Sequence, residues 1–354
     1  MSLPTTIKQW VTAQDGLDNL TLTTAPLPTA GPGEVLVKIT AVSINYRDTE
    51  VAMGLYNHHK ATGGPAFTLV PCSDMCGTVV SSNSSLWKPG DRVLSIFNQT
   101  HLKGQLKAHH MKSGLGLPTP GVLTQYRTFP EYGIVKAPSY LPDVEAATLP
   151  VASLTAWMAI NGMRPLGQAG GKGETVLIQG TGGVSIAGLQ IAKASGAEVI
   201  ITSSSDAKLE QAKKLGADKT INYRTIPDWD QEVLKMTDDE GVDIIFENGG
   251  ASTLRKSFDC VAFGGLINSI GYLGGKQDPP GDRTNTNVLA LKRNVTLKGL
   301  LNGPRDRLEE MLAFYEEHKI TPVVDKVFKF EEAKEALKYL FQGGHFGKVV
   351  IKLD

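Results

Sequence analysis

Glu174-Thr-Val-Leu-Ile-Gln-Gly-Thr-Gly-Gly-Val-Ser185 decides the fold of this 354-residue chain. The apolar run Thr175 to Ile178 meets Gly180, Gly182 and Gly183, and a helical pattern opens at Val184. Strand, glycine turn and helix leave bare backbone at the turn and aim the helix's first N–H groups at it. That is an anion site, and in this setting the anion is a dinucleotide pyrophosphate. Ser185 stands where the third glycine of the fingerprint would fall, so the surrounding sequence must carry the assignment.

Working outward, Ala187, Ile191 and Ala194 recur at helical spacing and Gly196 ends the helix. A second strand, Glu198 to Thr202, is followed by a helix with Leu209, Ala212 and Leu215 on one face and a stop at Gly216. The rhythm continues through Thr220 to Tyr223, a helix around Val233 and Leu234, and Val242 to Phe246. Next come a helix carrying Leu254, Phe258 and Val261, then strands over Leu266 to Ile270 and Thr296 to Leu300. Six strands alternating with helices predict a doubly wound parallel α/β sheet built from right-handed crossovers.

The rest of the chain has a different texture. Val35, Val37 and Ile39 alternate, and turn clusters follow closely at Pro32-Gly33, Gly63-Gly64-Pro65 and Pro89-Gly90-Asp91. Frequent short strands of this kind predict an irregular antiparallel barrel. Residues 98 to 124, rich in His, Lys, Gly and Pro, read as a long surface loop. From about Ile320 strand character returns, with a helix near Glu331 to Phe341 and a last strand over Gly347 to Lys352. That tail falls outside the sheet rhythm, as a segment returning to the N-terminal domain would.

Bulk properties suit a soluble enzyme of two domains. Formal net charge is zero, which provides no basic field for nucleic acid or a membrane surface. No apolar run approaches a membrane span, and the N-terminus lacks the order of a signal peptide. Three cysteines, Cys72, Cys76 and Cys260, make a disulfide framework a poor reading and a reducing cytoplasm the default. Cys72 and Cys76 read as small buried hydrophobes.

Several stretches in order resemble the medium-chain dehydrogenase/reductase superfamily, in its zinc-independent quinone oxidoreductase and enoyl reductase branch. They are Gly31-Pro-Gly-Glu-Val-Leu-Val-Lys38, Asn45-Tyr-Arg-Asp48, Lys88-Pro-Gly-Asp-Arg-Val93 and Leu154-Thr-Ala-Trp157. Gly180-Thr-Gly-Gly-Val184, Lys213-Lys-Leu-Gly-Ala-Asp218 and Gly347-Lys-Val-Val350 complete the set. The resemblance implies a GroES-like β-barrel catalytic domain, split over 1–128 and 303–354, around a Rossmann domain at 129–302. It places the active site in the cleft between them and implies a homodimer joined through the sheet-edge strand near Thr296 to Leu300.

In zinc alcohol dehydrogenases of this superfamily a cysteine, a histidine and a second cysteine hold the metal. The first would fall near Asn45 to Arg47, where there is no cysteine. The Gly-His-Glu motif aligns with Cys72-Ser73-Asp74, so Ser73 replaces the histidine, and the second cysteine would lie close to Val151 or Ala152. No cysteine occurs between Cys76 and Cys260, so the four-cysteine structural lobe is missing too. Three missing ligands cannot make a closed or catalytic zinc site. His58, His59, His101, His109 and His110 have no metal spacing and read as solvated residues.

Without a Lewis acid, polarising a carbonyl for alcohol oxidation is difficult, whereas reducing an activated C=C is easier. Hydride added β to a carbonyl leaves an enolate, which needs hydrogen-bond donors at oxygen and a proton at the α carbon. Tyr56 is the candidate donor by its spacing from Asn45, Asp48 and Gly54, which matches the active-site tyrosine of enoyl reductases; the alternative is a pocket-lining tyrosine with water as donor. Asn45 and Tyr46 resemble residues that contact nicotinamide and substrate, while Arg47 and Asp48 read as a local ion pair.

Cofactor choice rests on the end of the second strand, where an acidic residue favours NAD and positive charge a 2′-phosphate. Ser203, Ser204 and Ser205 lie there, with Lys208 one turn on. Lys208 and Tyr223 match residues that hold the 2′-phosphate in NADPH-dependent quinone reductases, so NADPH is the first choice, and Asp206 keeps NAD(H) as the second. Lys348 resembles a further cofactor contact, and Thr155 and Gly271 fall where relatives line the nicotinamide. The predicted activity is hydride transfer from NADPH to an enone, enoyl or quinone substrate. Its rivals are a metal-independent alcohol or ketone oxidoreductase and a non-catalytic NADPH-binding protein.

Overall fold

The computed structural model describes residues 3–56, 68–277, 281 and 284–353. His58, His59 and the Gly63-Gly64-Pro65 turn lie outside them. The chain separates into two compact units, Met1–Leu154 with Gly303–Asp354, and Thr155–Asn302.

The first unit begins with the hairpin β1 (Thr6–Val11) and β2 (Thr21–Pro26), then the long strand β3 (Glu34–Ile44) and the short helix α1 (Tyr46–Ala52). Strands β4 (Asp74–Ser82), β5 (Arg92–Ser95), β6 (Tyr126–Pro130) and β7 (Ile134–Lys136) follow, with helix α2 (Asp143–Ala146) behind them. β3 pairs antiparallel with β4 and with β6, and β5 pairs with β4 and β7. Because β6 and β7 are bound into this sheet, residues 129–154 belong to the first unit. The unit boundary therefore falls after Leu154 rather than after residue 128.

Residues 98–124 differ from the surface loop read from sequence. Leu115, Val122 and Leu123 are fully buried, a 3₁₀ turn spans His110–Ser113, and the ends are tied by Gln9↔Thr124 and Asn98↔Gly114 bridges. The apolar residues scattered among the polar ones are what draw the segment inward.

The second unit opens with α3 (Leu154–Asn161) and runs β8 (Thr175–Gln179), α4 (Gly183–Ala194), β9 (Glu198–Ser203), α5 (Asp206–Lys214), β10 (Lys219–Asn222) and α6 (Trp229–Met236). It continues with β11 (Val242–Glu247), α7 (Leu254–Cys260), β12 (Val261–Ser269), α8 (Thr286–Lys292) and β13 (Thr296–Gly299). The sheet order is β10-β9-β8-β11-β12-β13, every pair parallel. Leu177, Ile200, Ile245 and Ile267 pack beneath Trp229 and Phe258. The order reverses between β8 and β11, which puts the glycine turn at the topological switch point.

Val261 departs from the sequence reading. It begins β12 instead of ending the preceding helix, pairing with Val242. The register then slips before Ile244 meets Leu266, and Gly264 sits in the slip with a φ of +77°. A β-branched, fully buried valine facing a second valine favours the strand.

The chain returns through α9 (Arg305–His318), β14 (Val324–Lys329), α10 (Ala333–Phe341) and β15 (Lys348–Lys352). β15 pairs antiparallel with β3 and parallel with β14, so the C-terminal tail completes the first unit's sheet. The Trp10 indole N–H donates to the Phe330 carbonyl at 2.8 Å, fastening the N-terminal strand to the same return.

Candidate functional site

A buried polar cluster fills the end of β3 and the first turn of α1. The Asp48 carboxylate accepts the Asn45 N–H at 2.8 Å, fixing the helix start. The Asn45 amide donates to Asp74 Oδ2 at 3.0 Å and accepts from the Lys348 ammonium at 2.6 Å. Lys348 also donates to the Ile44 carbonyl at 2.8 Å and is only 6% exposed. The side chain read as a cofactor contact thus lies inside the first unit and is held against Asn45. Ser73 Oγ donates to Asp74 Oδ1 at 2.7 Å, and the Val151 N–H, in a π-helical turn over Leu149–Ser153, donates to Asp74 Oδ2 at 3.2 Å.

Within the stretches where the resemblance puts zinc ligands, near 45 to 47, at 73 and close to 151 or 152, residues Asn45, Ser73 and Val151 all turn hydrogen-bond donors toward one carboxylate. An amide N–H, a hydroxyl hydrogen and a backbone N–H cannot face a cation, and valine has no ligating side chain. These residues do not fit a zinc ion. Among the described residues no group of three or more His, Cys, Asp or Glu could hold a metal.

Burial pushes the Asp74 carboxyl up to about 6, against the pull of Lys348 and the hydrogen bonds from Asn45 and Ser73. Burial likewise raises Asp48, opposed by Arg47, and lowers Lys348, opposed by Asp74 and Asp48. Cys72 is driven well above its ordinary range by burial, which makes it inert as a nucleophile.

Arg47 pairs with Asp48 at 3.0 Å, as its sequence neighbourhood suggested, and donates to the Leu115 carbonyl at 3.2 Å. The same guanidinium lies between two rings, 4.9 Å from the centroids of both Tyr56 and Phe97. Burial works against its charge, but Asp48, Tyr56 and Asp74 outweigh that and hold it above its ordinary value. Tyr56 itself packs against Val51, Leu69 and Leu117. Tyr46 faces the other way, its ring stacked 6.3 Å from Phe341 of α10. Tyr56 and Asn45 thus gather around the Arg47–Asp48–Asp74 cluster, and Tyr46 stands apart from it.

Two histidines of the 98–124 segment depart from the solvated reading, while His109 is exposed as expected. His101 and His110 are buried and stacked at 4.7 Å, with His109 edge-on to His110 at 4.0 Å. His110 Nδ1 accepts the Lys107 N–H at 3.0 Å.

In the second unit most of the residues read as nucleotide contacts cluster at the carboxyl ends of the strands. Gly180 takes a φ of +78°, a conformation that favours glycine, and Gly182 caps α4 ahead of Gly183 and Val184. Ser185, in the third-glycine position, turns inward and donates to the Gln179 carbonyl at 2.9 Å. The close helix–sheet approach is made instead by Gly188, where a methyl group would overlap the Phe246 ring. Ser203 ends β9 buried, Ser204 follows it, and Ser205 caps α5 by accepting the Lys208 N–H. Tyr223 follows β10, its N–H donating to the Ser203 carbonyl at 3.1 Å, which sets its half-exposed ring beside the end of β9. Asp206 is engaged at 2.7 Å by the Asn222 amide. Thr155 is buried in α3, and Gly271 lies against the 248 loop, where a Cβ would stand 2.9 Å from the Asn248 carbonyl oxygen. A glycine turn at a helix N-terminus, at the switch point of a parallel sheet, fits a dinucleotide.

Sequence reasoning passed over Asp74 as the hub of the first cluster, and over Gln179 and Glu247 in the second unit. The signal was present: each of the latter is a polar residue closing an otherwise apolar strand, Val-Leu-Ile-Gln179 and Ile-Ile-Phe-Glu247.

A GroES-like sheet joined to a doubly wound dinucleotide-binding unit defines a class of oxidoreductases. Residues 31–139 match the alcohol dehydrogenase GroES-like domain, and residues 183–317 match the zinc-binding dehydrogenase domain. A zinc-type alcohol dehydrogenase-like protein of Schizosaccharomyces pombe is 40% identical, covering 91% of this chain and 92% of its own length. The 2-methylene-furan-3-one reductase of Solanum lycopersicum is 31% identical over 99% of this chain and 80% of its own length. The crystal structure of a putative alcohol dehydrogenase from Sinorhizobium meliloti superposes with a TM-score of 0.87 at 39% identity, over 99% of this chain and all of that one. The chain belongs to the medium-chain dehydrogenase/reductase superfamily, and it is an oxidoreductase of that family.

Proposed function

We propose that this enzyme is a zinc-independent reductase that uses NADPH to reduce a C=C activated by a carbonyl, or a quinone. The observation that carries the reading is the Asp74 carboxylate, to which Asn45, Ser73 and Val151 bring hydrogen-bond donors in the stretches where the resemblance puts zinc ligands. A reductase that cannot draw on a metal for carbonyl polarisation is suited to conjugate reduction, where the enolate charge is met by hydrogen bonds. The likeness to a reductase named for a methylene beside a ring ketone supports the same chemistry.

Bound NADPH supplies the hydride, which adds to the carbon β to the carbonyl. The chain's own residues receive the charge that results. In this reading Tyr56 donates its hydroxyl proton at the α carbon, and the Arg47 cation stacked on it steadies the negative charge left on the phenol oxygen. Asn45, clamped by Lys348 and Asp74, keeps one amide hydrogen for the substrate or the nicotinamide. Ser203, Ser204, Lys208 and Tyr223 hold the 2′-phosphate. The partner of the protein is a second copy of itself through the β13 edge, supported by exposed Phe263, Leu291 and Leu297 around that edge.

The test is NADPH oxidation with an enone, the matching saturated ketone and a quinone, each with and without a strong chelator. Turnover of enone or quinone, indifferent to chelator, is the expected result. Turnover of the ketone alone, or loss of activity on chelation, refutes the reading.

A further inference from the structure

Strands β8 and β11 flank the switch point, and both close on a buried polar residue, Gln179 and Glu247. Glu247 is 1% exposed, and five donors converge on its two oxygens. Oε2 accepts from Gln179 Nε2 at 2.8 Å and from the Ser257 hydroxyl. Oε1 accepts from the Thr253 hydroxyl and from the N–H groups of Gly249 at 3.1 Å and Gly250 at 2.9 Å. Only an acceptor-only carboxylate can satisfy five donors at once.

Gln179 answers from the other strand. Its Oε1 accepts the N–H groups of Asn248 and Gly249, each at 3.1 Å. Asn248 Nδ2 then donates to the Gln179 carbonyl at 2.9 Å and to Ser185 Oγ at 3.2 Å, reaching the first turn of α4. The loop after β12 is caught as well, through Leu273 N–H to Asn248 O at 3.1 Å and Gly274 N–H to Gly249 O at 2.7 Å. One buried carboxylate thus sets the mutual positions of the glycine turn at 180–183, the 248–250 loop and the 271–275 loop.

We infer that Glu247 is a positioning residue for the pyrophosphate and nicotinamide half of the dinucleotide, holding the three switch-point loops at the spacing that half requires. The inference rests on the dinucleotide reading above. A neutral amide at 247 would have to turn its NH₂ toward donors, leaving N–H groups unpaired in a buried network. The adenine end, at Ser203, Lys208 and Tyr223, shares none of these hydrogen bonds.

The experiment compares wild type with Glu247→Gln by two equilibrium titrations, NADPH by its fluorescence and adenosine 2′-monophosphate, which lacks the 5′-phosphate, by calorimetry, with thermal unfolding as the folding control. The expected result is a Kd for NADPH weakened at least tenfold with the Kd for adenosine 2′-monophosphate unchanged. Equal weakening of both ligands assigns Glu247 a general structural role and overturns the inference, as does no weakening of either. If Glu247→Gln does not fold, Ser257→Ala, which removes one donor of the five, carries the same selective loss at a smaller size, and its absence there overturns the inference. Wild type that binds neither ligand refutes the dinucleotide reading itself, a result distinct from unequal binding by the variant.

Discussion

The Lys348 ammonium stands 2.6 Å from the Asn45 amide oxygen, joining the last strand of the chain to the first turn of α1. The two residues are 303 apart in sequence and both buried, so the contact ties β15 to the end of β3. Replacing Lys348 by Met leaves Asp74 buried without the ammonium that opposes its desolvation, and the Asn45 oxygen without its lysine donor, while Asp48 keeps Arg47. Such a loss costs about 3–5 kcal/mol. Urea unfolding at neutral pH should show it, and the double variant Lys348→Met, Asp74→Asn should recover part because no unpaired charge is left. Strictly additive losses would argue that the two side chains do not communicate.

Asp74 gives the first unit a particular pH response. Burial raises its carboxyl from 3.8 to about 6, so between these values the folded chain keeps a proton that the unfolded chain has released. The group's contribution to stability is therefore greatest at the acid end of this window and declines as pH rises through about 6. The full decline is about 3 kcal/mol. Lys348, Asp48, Arg47 and Cys72 share the cluster, so the measurement is a difference: unfolding free energy of wild type minus that of Asp74→Asn. That difference should fall between pH 4 and 6; a flat profile would show that Asp74 ionises alike in both states.

Tyr56 and Arg47 are expected to act together. Tyr56→Phe should lower kcat on an enone about 100-fold, the usual size of a lost proton donor, with the KM for NADPH unchanged. Arg47→Lys keeps the charge but loses the planar stack between Tyr56 and Phe97, and should lower kcat about tenfold. In the Tyr56→Phe background the Arg47 change should have almost no further effect, because its partner oxygen is gone. Unchanged turnover in Tyr56→Phe would assign proton donation to water.

Much of this was legible in the chain, for physical reasons. The alternation of β-branched runs with helical spacing located six strands and the switch point, because buried parallel strands must be apolar on both faces. The turn at Gly180 was legible because its φ of +78° favours glycine. Ser185 misled only as to mechanism: the close approach belongs to Gly188, three residues on, which no short fingerprint includes. The inward course of 98–124 was illegible because its apolar residues, Leu115, Val122 and Leu123, keep no periodicity. Lys348 read as a surface lysine or a ligand contact, since its partners Asn45 and Ile44 lie some three hundred residues away. Long-range polar pairing of that kind leaves no local signal, whereas Gln179 and Glu247 do carry one, a polar residue closing an apolar strand, that the sequence reading passed over.

Gly188 offers a packing test beside the nucleotide turn. A methyl there would meet the Phe246 ring, which is fully buried in β11. Gly188→Ala should therefore destabilise by about 1–3 kcal/mol despite the better helix propensity of alanine. Phe246→Leu in the same chain should return part of that loss by making room. Stabilisation by Gly188→Ala alone would mean that α4 can move away from the sheet.

The proposed preference for NADPH rests on the end of β9. Asp206, the acidic residue that could accept from a ribose 2′-hydroxyl, is held by Asn222 on the β10 side, while the Lys208 N–H is bound by Ser205 and the Tyr223 N–H by the Ser203 carbonyl. Lys208→Ala should raise the KM for NADPH about tenfold, equivalent to about 1.4 kcal/mol. Its effect on NADH should be less than twofold, because NADH carries no 2′-phosphate for the ammonium to meet. The ratio of kcat/KM values for the two cofactors is the quantity to measure. Were both to fall together, Lys208 would be acting on the shared part of the dinucleotide, and the 2′-phosphate assignment would move to Tyr223 and the serines alone.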